Sequence, residues 1–391
     1  MELKSIYCLP LIAIMAIGCS SNKKVKEDLP YFDIRKNYPE REININDIAD
    51  VTYVHLNTDN DDYLYKGRIV NVTKNTLVVY DYSSLSILFF SKDGKPKSRF
   101  NRFGQGPEEY LGATRILYDE ESDEVFVGYD LVNYIQVYSS TGIYKRKIPL
   151  PQNIRIYSLV SFDNQSFFVF SENFYDLVLS AEKRRNLKID FPCTTYYRFS
   201  KTDGEILDSL QLPSNDVKLY MEAPGGQLPI LRYHRLVKGA EGFYLCNPET
   251  DTVFLYTGDK SLTPVFHKIP SVRNQDIKVI IPNIVDAGRY QFFDAFPVVV
   301  RFDYSHYFRD KETGEFFRQH IILPDYKGKE FSINVAKTIN SGHENGCVFE
   351  LDLFELKKAY EENRLGGKLK ELVATLNEME DNNVFMIATF K

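Results

Sequence analysis

The sequence has no tryptophan, six histidines and five cysteines. Without tryptophan the chain carries neither the Trp-Asp signature of WD40 repeats nor the Trp-bearing Asp-box of sialidases. Paired glycines occur only at Gly225-Gly226 and Gly366-Gly367, which excludes kelch repeats. No two histidines among His55, His234, His267, His306, His320 and His343 have helical metal-ligand spacing. HExxH, GxSxG and the glycine-rich phosphate loop are also missing, so the local sequence names no metal, no cofactor and no catalytic residue. A metal site assembled from distant segments would leave no local signature. An excess of basic charge is lacking too: the formal net charge is −6 and the pI about 5.7. Nucleic acid is therefore excluded as a partner, because phosphate binding calls for a basic stripe or patch.

The longest apolar run, within Ser5–Gly18, is too short to span a bilayer, which takes about 20 apolar residues. It follows the single positive charge of Lys4 and has the length of a signal-peptide core. It ends in Ala16-Ile17-Gly18-Cys19, which resembles a bacterial lipobox, with Ala16 standing where leucine is usual. The resemblance implies cleavage after residue 18 and lipid attachment at Cys19. Two or more acyl chains make a stable anchor where one is marginal. Ser20 after the cysteine resembles outer-membrane sorting. We therefore expect a signal peptide over 1–18, a lipidated N-terminus and tether over 19–42, and a folded body over 43–391. The remaining cysteines, Cys193, Cys246 and Cys347, are odd in number and show no CxxC pattern. They are expected to be small buried side chains.

What is abundant is tyrosine and phenylalanine, 27 and 28 residues. Such rings pack well on pleated strands. They recur in a pattern. Tyr80-Asp81, a short polar turn, Ile87–Ser91 and a turn closing on Gly94 match Tyr129-Asp130, a turn, Tyr134–Tyr138 and Gly142. Looser copies run over Thr195–Glu205, Gly242–Asp259 and Val298–Glu315. The Asp-Gly and Thr-Gly pairs supply the positive φ that tight hairpins need. Short strands repeating about every 50 residues read as an all-β, six-bladed β-propeller. Aromatic residues are assigned to the core and to packing between blades.

The C-terminal part departs from this period. Asp352 with Glu355 reads as a helix N-terminus. Leu353, Leu356 and Tyr360, then Leu369, Leu372, Val373 and Leu376, follow at helical spacing. We expect a short helical insertion at about 352–380 and a closing strand at about 384–390. That strand should pair with the N-terminal strand around Val51–Leu56, because an open sheet edge invites aggregation.

One segment carries a family likeness. Gly104-Gln105-Gly106-Pro107-Glu108-Glu109-Tyr110 resembles the Gly-x-Gly-Pro-x-Glu-Tyr segment of the six-bladed, NHL-like β-propeller lipoproteins of bacteria. The likeness runs from about Ile43 to Lys391 and includes Leu369-Lys370-Glu371-Leu372. It implies fold and export, and no particular activity. Within the segment the glycines permit a sharp turn and Pro107 fixes the chain after it. It is either a rim site formed by Arg99, Arg102, Glu108 and Tyr110, or a connection tying two blades together. The acidic run Asp119–Glu124 is expected to be a solvated hairpin tip.

These residues lead us to expect an envelope-anchored, outer-membrane lipoprotein whose propeller is a non-catalytic module for a protein, peptide or glycan. The alternatives are a metal- or carboxylate-dependent hydrolase or lyase acting on glycans or peptides, and a structural part of an outer-membrane complex.

Overall fold

A computed structural model describes residues 29–391 except 59–60, 130, 152–153, 174–193, 213–219, 224–225, 230–235, 248–249, 259–260, 283, 300–303, 334–345 and 378–379. The expected signal peptide and Cys19 lie outside the described residues, as do Cys193, His234 and His343.

The chain is an all-β, six-bladed β-propeller with two short helices inserted near the C-terminus. It opens with β1 (Tyr31–Asp33), β2 (Glu40–Asn44), the single-turn α1 (Ile45–Ile48) and β3 (Ala49–His55). The first blade is β4 (Gly67–Val72), β5 (Thr76–Asp81), β6 (Ile87–Ser91) and β7 (Pro96–Phe100). The second is β8 (Arg115–Asp119), β9 (Glu124–Gly128), β10 (Tyr134–Tyr138) and β11 (Tyr144–Pro149). The third is β12 (Ile154–Ser161), β13 (Ser166–Asn173), β14 (Thr194–Ser200) and β15 (Ile206–Leu210). A hairpin of β16 (Tyr220–Ala223) and β17 (Gly226–Pro229) precedes the fourth blade. That blade is β18 (Val237–Lys238), β19 (Phe243–Leu245), β20 (Thr252–Tyr256) and β21 (Leu262–Ile269). The fifth has an interrupted inner strand, β22 (Val279–Ile280) and β23 (Ile284–Ala287), then β24 (Tyr290–Pro297), β25 (Ser305–Asp310) and β26 (Phe316–Ile322). The sixth is built from both ends of the chain: β27 (Gly346–Leu351), β28 (Val384–Phe390) and β3.

The reason for this architecture is visible in β5, where every residue is buried. Successive side chains point to opposite faces. Leu77 and Val79 therefore pack toward the sixth blade and Val78 and Tyr80 toward the second. Repeated around the ring, the same two-sided burial gives six apolar clusters, one between each pair of neighbouring blades. The aromatic rings are the main filling, as in the contacts of Phe168 with Tyr196, Phe243 and Tyr256.

The expected closure holds: β28 pairs antiparallel with β3 from Val384↔His55 to Phe390↔Ala49. Between β27 and β28 lie α2 (Leu353–Glu361) and α3 (Gly367–Ala374). Asp352 caps α2 by accepting from the Glu355 N–H at 2.9 Å. Leu356, Leu369 and Val373 bury the two helices in the cluster between blades five and six.

Two expectations need correction. The folded body begins before residue 43. β1 adds in parallel to the outer edge of the fourth blade through β21, and β2 to that of the fifth through β26. Phe32 and Ile43 anchor these short strands by burial. The run Asp119–Glu124 is a hairpin tip, exposed at Glu121 and Ser122, but its flanking carboxylates are not left to solvent. The Glu120 carboxylate accepts from the hydroxyls of Thr73 at 3.0 Å and Thr76 at 2.5 Å, tying blade two to blade one. Asp119 pairs with the buried Lys201 at 2.9 Å, tying blade two to blade three.

Candidate functional site

The segment singled out by its glycines, 103–110, joins β7 of the first blade to β8 of the second. Tyr110 points inward and is 2% exposed. Its hydroxyl donates to the Leu85 carbonyl at 2.7 Å and its ring meets Tyr138 edge-on. Burial pushes its phenol well above the usual range. Glu109 folds back so that its carboxylate accepts the Gly106 N–H at 2.8 Å. A Cβ on Gly104 would lie 1.9 Å from that carboxylate, so a side chain here would push the Glu109 carboxylate aside. Arg102 donates to the Gly142 carbonyl at 2.9 Å. Arg99 turns to the Asp62 carbonyl and carboxylate. The Glu108 side chain is exposed, while its carbonyl accepts from the Tyr138 hydroxyl at 2.9 Å. Arg102 and Tyr110 are joined through their backbones, with the Tyr110 N–H donating to the Arg102 carbonyl at 2.9 Å. Arg99 and Glu108 stand apart from them. The four side chains do not converge on one point, and the segment is built as a plug between two blades.

A different place gathers chemistry. Among the described residues the sixth blade runs β27-β28-β3, with β3 at its outer edge. At that edge lies a cleft of about 660 Å³. The hairpin turns of blade one contribute Lys74, Lys92, Asp93, Gly94 and Lys95. Across from them stand Tyr53 and Leu372, which pack against the cluster between blades five and six. Thr389 and Ile387 come from β28.

The local sequence explains the basic wall. Asp93-Gly94 makes the tight turn, with Gly94 at φ +86°. The backbone of that turn lies directly against the His55 carbonyl, where a Cβ on Gly94 would come within 1.9 Å. The Asn57 N–H donates to the Gly94 carbonyl at 2.9 Å, which closes that end of the cleft. The turn thus carries Lys92 and Lys95 to the edge of the neighbouring blade. Lys95 is paired with Asp93 at 2.6 Å.

The lining thus carries three ammonium groups and one carboxylate, all from the turns of blade one. His55 adds little charge. Burial lowers its pKa, opposed by Asp381, whose oxygen lies 3.3 Å from Nε2. Such a wall attracts anions and loses that attraction as salt rises. No sequence spacing reveals this cleft, since its lining runs from Thr52 to Thr389. The one local signal is the pair of lysines flanking the Asp93-Gly94 turn.

Elsewhere, His306 Nδ1 lies 2.7 Å from Asp294 Oδ1 across the β24–β25 ladder. Among the described residues no three histidine, cysteine, aspartate or glutamate side chains stand close enough to hold a metal ion. Cys246 and Cys347 are buried and form no disulfide with each other.

The family called Domain of unknown function (DUF4934) matches residues 29–389. No curated protein matches the chain. Among solved structures, a Bacteroides fragilis NCTC 9343 protein described as exported superposes with a TM-score of 0.60 at 16% identity, over 92% of this chain and 99% of that one. A DUF4221-family member from Bacteroides vulgatus ATCC 8482 gives 0.47 at 10% identity, over 88% and 97%. Virginiamycin B lyase from Staphylococcus aureus gives 0.35 at 13% identity, over 66% and 73%. At these identities the likeness is one of fold.

Proposed function

This chain belongs to the DUF4934 family, and from that premise we propose that it is an envelope-anchored, non-catalytic binding module whose cleft beside β3 takes an anionic ligand. The observation that carries the proposal is the wall of Lys74, Lys92 and Lys95 over a cleft of about 660 Å³. Ligand cavities of this kind run to about 300–1,000 Å³. The direct test is calorimetric titration of the full chain with a short polyglutamate. Binding should weaken several-fold between about 50 and 200 mM salt, as screening shortens. The triple substitution of Lys74, Lys92 and Lys95 by glutamate should abolish it. Unchanged binding by that variant would remove the cleft from consideration.

Anchoring is proposed on the tetrapeptide ending in Cys19. In cells fractionated after expression, the wild type is expected in the membrane fraction. Cys19→Ala should leave a folded protein that no longer partitions there. If the variant stays membrane-bound, lipidation at Cys19 is not the anchor.

One observation favours a second reading, a hydrolase or lyase acting on glycans or peptides. Asp294 is buried and bonded to Nδ1 of His306, which orients the imidazole for proton transfer through Nε2. Turnover of glycans or peptides that His306→Ala eliminates would replace the binding module with that enzyme.

A further inference from the structure

We propose that the ligand of the cleft is a small phosphate monoester, its dianionic head held between the sheet face of blade six and the turns of blade one. This rests on the binding-module reading and names its ligand class. Thr52 and Val54 of β3 and Ile387 and Thr389 of β28 all line the cleft. Alternate side chains of a strand share a face. Val54 and Ile387 pack in the cluster between blades six and one, so all four side chains stand on the face turned to blade one. Val54 and Ile387 are buried and make the floor. Thr52 pairs across the ladder with Ile387, and Thr389 with Asp50. Thr52 and Thr389 are therefore diagonal neighbours on one face, about 7 Å apart. At that spacing each hydroxyl can donate to a different oxygen of one tetrahedral anion. Thr52 is exposed and Thr389 half-buried. Among the described residues neither hydroxyl has a partner, and neither does the Lys74 ammonium.

The charge of the lining decides between anions. Lys74, Lys92 and Lys95 bring three positive charges and Asp93 one negative, which leaves two positive charges in excess. Asp50 stands on the same sheet face outside the lining, with the Lys391 ammonium 3.9 Å away. Burial holds His55 toward its neutral form, against the pull of Asp381. A phosphate monoester approaches two negative charges at neutral pH, because its second ionisation falls near about pH 6. A carboxylate or a sulfate monoester carries only one. The cleft, at about 660 Å³, is much larger than a phosphate group. The remaining space is bounded by the apolar floor and by Tyr53 and Leu372. An apolar organic group next to the phosphate fills it.

The probes are phenyl phosphate and phenyl sulfate, titrated calorimetrically into the full chain. They share ring and tetrahedral head and differ by one charge. At pH 8 the phosphate should bind about tenfold more tightly than the sulfate. At pH 5, where the phosphate has taken up a proton, the two should agree within about twofold. Protonation of His55 over that range acts on both probes and cancels in their ratio. The double variant Thr52→Val, Thr389→Val keeps β-branched side chains on both strands. It should cost phenyl phosphate about tenfold, the loss of two hydroxyl donors, while polyglutamate stays bound through the lysines. A ratio near one at pH 8, or no loss in the double variant, overturns the phosphate monoester and leaves an anion-binding cleft intact. Inorganic phosphate bound as tightly as phenyl phosphate assigns the site to the free ion and also overturns the monoester. Failure of polyglutamate and of both phosphates removes the binding cleft as well.

Discussion

Replacing Tyr110 by alanine should lower stability by about 3–5 kcal/mol and leave ligand binding to the surviving folded protein unchanged. The side chain fills the interface between the first two blades, beside Phe100, Tyr118 and Tyr138, and it is 2% exposed. Removing a ring from such a site forfeits transfer energy and opens a cavity that strand backbones cannot close. The hydroxyl matters separately. Tyr110→Phe keeps the ring and strands the Leu85 carbonyl, which the hydroxyl contacts at 2.7 Å. That variant should lose about 1 kcal/mol. Denaturant midpoints of the three proteins check the order. A Tyr110→Ala protein as stable as the wild type but defective in binding would restore the segment as a ligand site.

The second large effect is expected at Asp310, whose side chain is fully buried at the end of β25. Arg289 Nη2 donates to its carboxylate at 2.6 Å and Arg41 Nη1 at 3.0 Å. The Glu312 N–H donates at 3.1 Å. Arg41 belongs to β2, so this one carboxylate fastens the added N-terminal strand to blade five. Burial by itself pushes the carboxyl up, but the bonds from Arg289, the Glu312 N–H and Arg41 outweigh it and hold it below the usual range. A folded pKa below the unfolded one means that the carboxylate stabilises the protein above about pH 4. That contribution fades as pH falls through the folded value. Asp310→Asn preserves shape and removes charge. It should cost roughly 2–3 kcal/mol at pH 7, less than a fully buried pair because both arginines keep access to water. The difference between the two proteins should shrink toward zero in acid. A constant difference from pH 7 to pH 2 would show that charge is not what Asp310 contributes.

The parts of this fold that the sequence shows are those with a short period. The Tyr-Asp turns, the Asp93-Gly94 hairpin and the Asp352 cap each depend on neighbours in the chain. They can be read because local sterics and hydrogen bonding decide them. The closing strand Val384–Phe390 is a continuous apolar run, which betrays a strand buried on both faces. β1 and β2 escape notice for the opposite reason. Each is short and without a strand-length apolar pattern, and they are strands because the edges of β21 and β26 accept them. The Gly-x-Gly-Pro-x-Glu-Tyr segment at 104–110 is legible as a sharp turn. Whether its side chains face ligand or core depends on Leu85 and Tyr138 across the interface. The cleft beside β3 is out of reach of any local reading, because ring closure alone brings Lys92 to Thr389.

The order of attachment around the ring fixes where a tethered molecule would be held. Were the chain held through Cys19, as proposed above, the eleven residues between Cys19 and Tyr31 would reach at most about 40 Å fully extended. That tether would enter the ring through β1 at the outer edge of blade four, diametrically across from blade one.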